Sequence, residues 1–198
     1  MSVNQTDRSA TSAVRRAQIV DAAIEVIAEV GYARASYARI AAAAGLSSTR
    51  FLSYHFESKG ELMGAVVQQV IGQIGGYVGD RIRSQRTAAA MLRTYLESVV
   101  GFIDTHRAQM IALTEVLLGA GFEDGIAGDR AATADLESIL RHGQSTGEFR
   151  DFDPAVMATV VQRSVDGLPL VLQSDPDFDC AGYAREVVTI FELATARR

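Results

Sequence analysis

The chain has 198 residues, 48% of them hydrophobic, with three prolines, no tryptophan, one cysteine and a net charge of −5. That length buries a core in one large domain or two small ones, and the composition excludes a disordered chain. No apolar run approaches the roughly 18–20 residues that cross a bilayer, the polar start MSVNQTDRSATSA lacks the apolar centre of a signal peptide, and a lone cysteine fits a reducing cytoplasm.

Helical periodicity governs the chain from its first apolar residues. In RRAQIVDAAIEVIAEVG, the residues Ile19, Ala22, Ala23, Val26, Ile27 and Val30 recur on one helix face, and Gly31 stands where a cap with positive φ belongs. Residues 1–13 ahead of this helix read as a frayed tail. Ser36 is a good N-cap for a short second helix, with Ile40, Ala41 and Ala44 inward and Gly45 as its stop. A third helix starts within Ser47, Ser48 and Thr49 and runs to about Tyr54. Ser58 and Glu61 have the spacing of a capping box, and Leu62, Val66, Val67, Val70 and Ile74 carry a fourth helix onward.

Longer helices follow. Ala88–His106 turns Leu92, Tyr95, Leu96, Val99, Phe102 and Ile103 inward, and another helix spans about 107–118. The four glycines of GAGFEDGIAG predict a mobile loop over 119–128, and a helix from about 129 to 147 comes next. Asp153-Pro154 predicts an N-cap with proline at the first helical position. The helix that follows, over 154–172, carries Val156, Val160, Val161, Val165 and Leu168 and is kinked or ended by Pro169. Tyr183, Val187, Val188, Ile190 and Phe191 line a last helix over 180–196. The pattern predicts an all-α chain of about nine helices.

Catalytic chemistry finds no foothold. Cys180 lies among aspartates that raise a thiol pKa and has no histidine partner, so it reads as a packing residue. His55, His106 and His142 share no metal-ligand or triad spacing with Cys, Asp or Glu. The glycine stretch lacks the preceding strand and the G-K-[ST] of a phosphate cradle. No enzyme activity, metal or cofactor is expected.

Charge is divided along the chain. Residues 1–59 carry seven basic and five acidic side chains, whereas residues 60–198 carry twelve and nineteen. The N-terminal part is therefore the one suited to a polyanion. Three short helices joined by a tight glycine turn form a helix-turn-helix pattern. Small Ala41–Ala44 let two helices approach, and Gly45 supplies the turn. Ser47, Ser48, Thr49 and Arg50 then occupy the exposed start of the second helix, where hydroxyls and N–H groups suit a phosphate. Arg50 is long enough to reach a base edge or a phosphate. Phe51 or Leu52, together with Phe56, anchors the apolar side, and Tyr54 and His55 close the helix. Lys59, the only lysine, sits in the first turn of its helix, where a cation suits an external anion. Arg15 and Arg16 either touch DNA from the first helix or form a solvated helix start.

The stretches AAIEVIAEVGYARAS, YARIAAAAGLS and SYHFESKGEL together resemble the DNA-binding domain of TetR-family transcriptional regulators. Members typically have a glycine-ended first helix, Thr or Ser before the second, an A-G-V-S turn, and Y-x-F-x-S-K-x-x-L after the recognition helix. Between Gly45 and Phe56 this chain is one residue longer than the usual spacing, and Leu52 and Ser53 stand where a tyrosine is usual. The resemblance implies that Ser36, Tyr54, His55 and Lys59 position the phosphate backbone. It also implies that Thr49, Arg50 and Ser53 face base edges, and Ser48, at the helix start, is a further DNA-binding candidate through its hydroxyl.

The domains expected on this basis are a tail over 1–13, a helix-turn-helix domain over 14–57, and a ligand-binding and dimerisation domain over 58–198. In the last, Tyr95, Phe102, His106, Met110 and Thr114 are candidate walls for a small-molecule effector, with core packing as the competing reading. The implied function is a homodimeric regulator of double-stranded operator DNA, a repressor released by its effector. The alternative is a small helical enzyme or scaffold that keeps the helix-turn-helix for packing alone.

Overall fold

The computed structural model describes residues 3–120 and 123–197, with side chains over 12–119 and 132–197. Among the described residues it has ten α-helices, one 3-10 turn and no strand, with only an isolated bridge between Phe149 and Ala196. The chain divides into two compact units, one of residues 1–70 with 108–124 and one of residues 71–107 with 125–198.

The first unit holds α1 (Val3–Val30), the 3-10 turn Tyr32–Arg34, α2 (Tyr37–Ala43) and α3 (Arg50–His55). It also takes the first half of α4 (Lys59–Ile82) and nearly all of α6 (Arg107–Ala120). Its core is the apolar stripe of α1, with Ile19, Ala23 and Ile27 fully buried, closed by Ile40, Leu52, Phe56, Leu62, Met63, Val66 and Val67. Each buried Leu, Ile or Phe of this kind contributes about 1.5–3 kcal/mol. The first unit thus extends past residues 57 and 58, where a boundary was expected. Leu62 to Val70 form one wall of this core, and α6 adds the buried Ala112 and Val116.

Two further expectations are corrected here. Helix α1 already runs from Val3, because no proline or glycine interrupts the sequence before Gly31; of the expected tail, residues 1 and 2 lie outside the described residues. The glycine stretch 119–128 is not a loop of that length. Gly119 lies in α6, Gly125 and Gly128 lie in α7 (Glu123–Ser145), and residues 121–122 lie outside the described residues. Glycine inside a helix costs about 1 kcal/mol against alanine, which packing elsewhere along the helix readily offsets.

In the second unit α5 (Ala88–Thr105) packs against α8 (Pro154–Asp166), α9 (Leu168–Ser174) and α10 (Cys180–Thr195). The six residues expected inward on α5 are all buried. Thr87 caps α5 by accepting from the Ala90 N–H at 3.1 Å, and Asp153 caps α8 by accepting from Ala155 and Val156 with Pro154 at the first position. The expected helix over 154–172 is broken at Gly167, with Pro169 in the first turn of the new segment. Residues Pro154–Ser174 together are long and apolar enough to span a bilayer by composition, but the break leaves helices of 13 and 7 residues.

Close packing also fixes the end of α7. A Cβ on Gly143 would sit 2.2 Å from Phe149 Cδ2, and Phe149 is itself buried. Gly143→Ala is therefore expected to destabilise the protein by about 1–3 kcal/mol, the range for overpacked sites. Urea unfolding measures this, and an unchanged midpoint would contradict the packing.

Candidate nucleic-acid interface

The interface is built around the short helix α3. Helix α2 is capped by Ser36, whose Oγ accepts from the Arg39 N–H at 3.4 Å, and is followed by Gly45 with φ +67°. The Gly45 N–H bonds to Ala42 O and the Leu46 N–H to Ala41 O, the paired bonds of a Schellman cap. Of the four alanines, Ala41 is buried and Ala44 half-buried, whereas Ala42 and Ala43 face solvent. Helix α3 starts at Arg50. Thr49 holds the N-cap position without a side-chain bond, and Ser48 Oγ instead accepts from the Arg50 N–H at 3.2 Å.

Leu52 and Phe56, 0% and 1% exposed, pin α3 to the core. That choice leaves Arg50, Phe51, Ser53 and Tyr54 on the solvent side, together with Ser47, Ser48 and Thr49 of the turn. Ser36 is likewise exposed and His55 half-buried. Tyr54, 81% exposed, meets the His55 ring edge-on with centroids 5.1 Å apart. Of the candidates at residues 48–55, Ser48, Thr49, Arg50, Ser53 and Tyr54 are thus exposed.

A second set of side chains holds that surface in place. Arg16 faces inward: its guanidinium lies 4.0 Å above the Phe56 ring, donates to Glu61 at 2.8 Å, and donates to the carbonyl of His55 at the end of α3. A cation there also complements the helix dipole. Glu61 accepts from the Glu57 N–H at 2.6 Å, and the Glu61 N–H bonds to Ser58 Oγ at 3.1 Å. The expected capping box is therefore formed with its return bond one residue early. The Glu57 N–H and then Arg16 hold the Glu61 carboxyl below its ordinary value.

Lys59, read from sequence as a phosphate cation, directs its ammonium within the unit instead. Its Nζ donates to Tyr32 O at 3.1 Å and stands 4.5 Å over the Tyr32 ring. On α6, Glu115 Oε2 accepts from the Tyr32 N–H at 3.0 Å, and a Cβ on Gly119 would lie 2.5 Å from Tyr32 Cδ1. Gly31 before it adopts φ +79°, which glycine alone takes easily. Sequence reasoning missed Tyr32, Glu115 and Gly119. A glycine inside an apolar helix, the usual sign of close approach, was the one available signal. On α2, Tyr37 buries a hydroxyl without a hydrogen-bond partner, and burial and then Glu61 raise its pKa.

The ligand-wall candidates divide between the units. In the second, Phe102 stacks on His106 with centroids 4.1 Å apart, and Tyr77 meets both rings edge-on beneath Arg81. Tyr95 is buried with its hydroxyl donating to Gln162. Met110 and Thr114 belong to the first unit. Cys180 is buried, and burial followed by Asp104 raises its thiol pKa, which suits packing more than nucleophilic attack.

Residues 19–66, which hold most of this arrangement, match the family described as bacterial regulatory proteins, tetR family. This stretch is similar to the N-terminal domain of that family. The chain is also 36% identical over 88 residues to the HTH-type transcriptional regulator BetI of Escherichia coli strain S88. That match spans 44% of this chain and 44% of the relative, so the chain covers under half the length of the curated relatives it matches. Among solved structures, the fold is similar to FadR from Bacillus subtilis in complex with stearoyl-CoA, at 21% identity over 87% of this chain and 95% of that one, with a TM-score of 0.79. AibR in complex with isovaleryl coenzyme A and operator DNA is similar at 19% identity over 89% and 97%, with a TM-score of 0.75.

The Glu61 clasp has a pH signature. A carboxyl held below its ordinary value of 4.5 stabilises the fold fully above that value and loses the contribution as pH falls through the folded pKa. Glu61→Gln should therefore show a smaller loss of Tm below pH 4.5 than the wild type, measured by thermal unfolding from pH 7 to pH 3. Parallel acid limbs would contradict the clasp.

Proposed function

We propose that the chain is a sequence-specific, DNA-binding transcriptional regulator, regulatory and not catalytic, acting in the cytoplasm on double-stranded operator DNA. The observation that carries this reading is the exposed face of α3. Arg50, Ser53 and Tyr54 stand in solvent while Leu52 and Phe56 are fully buried beneath them. A helix anchored in this way offers donors and a guanidinium to the base edges of a major groove. Ser48 and Thr49 lie beside them for the backbone, with Ser36 and His55 at the margin; phosphate contacts position a protein and base contacts specify its site. Lys59 is reassigned to the Tyr32 turn.

One short reading helix contacts little DNA, so the active species is a homodimer on a two-fold site. Helices α8, α9 and α10 support this with exposed Val156, Val160, Leu170, Val171, Ile190 and Leu193, an apolar surface of the kind that oligomers cover. The regulator is a repressor released by a small-molecule effector. Similar folds have been solved with acyl-CoA ligands, and the Tyr77–Phe102–His106 cluster supplies apolar walls with polar handles in the second unit. Helix α4 carries residues of both units, so movement along it reaches Lys59 and the turn that Lys59 holds. Effector control requires unequal affinity for the two states.

Fluorescence anisotropy with the DNA upstream of its own gene tests the reading. Binding should survive competitor DNA, and Arg50→Ala should weaken it by about 5- to 150-fold, the range for one bidentate base contact. Absence of binding at low salt, where phosphate attraction is strongest, would refute it. Lys59→Gln should lower Tm yet leave the slope of log affinity against log salt unchanged; a slope reduced by about one would return Lys59 to the phosphate backbone.

A further inference from the structure

Phe51 is the side chain on α3 that neither folding nor hydrogen bonding to DNA explains. It is 48% exposed, although the six-residue helix already has both apolar anchors, Leu52 and Phe56, fully buried. At about 100° per residue, the direction opposite Leu52 falls between Arg50 and Tyr54. Phe51 flanks that line on one side and Ser53 on the other, and all four are exposed. The exposed ring therefore belongs to the surface proposed to enter the groove, in the quarter of the chain with a positive balance of charge. The unpaired apolar surface of α8 to α10 is in the other unit.

We infer that Phe51 reads the 5-methyl group of a thymine next to the base pair addressed by Arg50. The inference rests on the DNA-binding function proposed above and adds a specificity residue to it. A phenyl ring neither donates nor accepts a conventional hydrogen bond, so the polar edges of guanine, cytosine and adenine give it nothing. The thymine methyl is the one apolar feature that a base pair presents in the major groove, and phenylalanine is among the side chains that contact it. Arg50 and Phe51 are adjacent on the helix and diverge by one residue's turn, so they address neighbouring positions. Polar groups at Arg50, Ser53 and Tyr54 then fix register while Phe51 distinguishes thymine from cytosine at one position in each half-site.

The test begins with selection of binding sequences from a random duplex pool by the full chain. Each thymine of the selected site is then replaced in turn by deoxyuridine, which lacks only the 5-methyl group. Wild-type affinity should fall about fourfold at one position per half-site, the effect of losing one methyl contact, and Phe51→Ala should show no fall there. Phe51→Leu, which keeps an apolar side chain, should retain part of it. Thermal unfolding checks that both variants fold, as expected for an exposed position. A wild type indifferent to deoxyuridine everywhere, or a Phe51→Ala variant with an undiminished penalty, overturns the assignment and leaves DNA binding standing. A pool in which no sequence is enriched overturns both.

Discussion

Lys59 and Glu115 hold the peptide groups of Tyr32 from two different helices, and the surface that the first unit presents depends on that grip. The lysine donates to the carbonyl and the glutamate accepts from the N–H, so both backbone groups of one turn residue are bonded by charged side chains. Charge-assisted bonds of this kind are stronger than neutral ones. The Tyr32 ring lies under Lys59 and against Gly119, where a side chain would collide with it. The turn leads directly into Ser36 and α2, and the Gly45 cap then sets the start of α3. A displacement of the turn is carried by two short helices of seven and six residues, which have little internal reserve to absorb it.

The Arg16 clasp completes the frame from the other end. It joins α1, the last carbonyl of α3 and the first turn of α4 through one guanidinium, with the buried Phe56 ring beneath it. Helix α3 is thus held at its entry by the Gly45 turn, along its length by Leu52, and at its exit by Arg16. Rigid support of this sort lets the exposed side chains act as a preformed surface.

The fold was legible where a local signal was strong. The apolar stripe of α1, the six inward residues of α5, and the caps at Ser36, Ser58 and Asp153 follow from periodicity and hydrogen-bonding chemistry that act over a few residues. The glycine-rich stretch misled because glycine marks close approach as well as turns: Gly119 faces the Tyr32 ring 87 residues away, and nothing local announces it. Lys59 has partners that its local sequence does not announce. A cation in a first helical turn suits an external anion, but a carbonyl and an aromatic ring from another element serve equally well, and only the three-dimensional structure supplies them. For Phe51, sequence left two candidate anchors open, and the burial of Leu52 decided between them. The solvent face of α3 follows from that one choice, and so does the exposure of Arg50 and Tyr54.

Oxidative footprinting of the full chain, with and without saturating duplex at low salt, measures that face directly. Bound DNA should strongly reduce oxidation of exposed Phe51 and Tyr54, leaving the aromatic residues of the second unit unchanged. Unchanged oxidation at both positions, or protection confined to residues 71–107 and 132–197, would contradict α3 as the DNA-reading element.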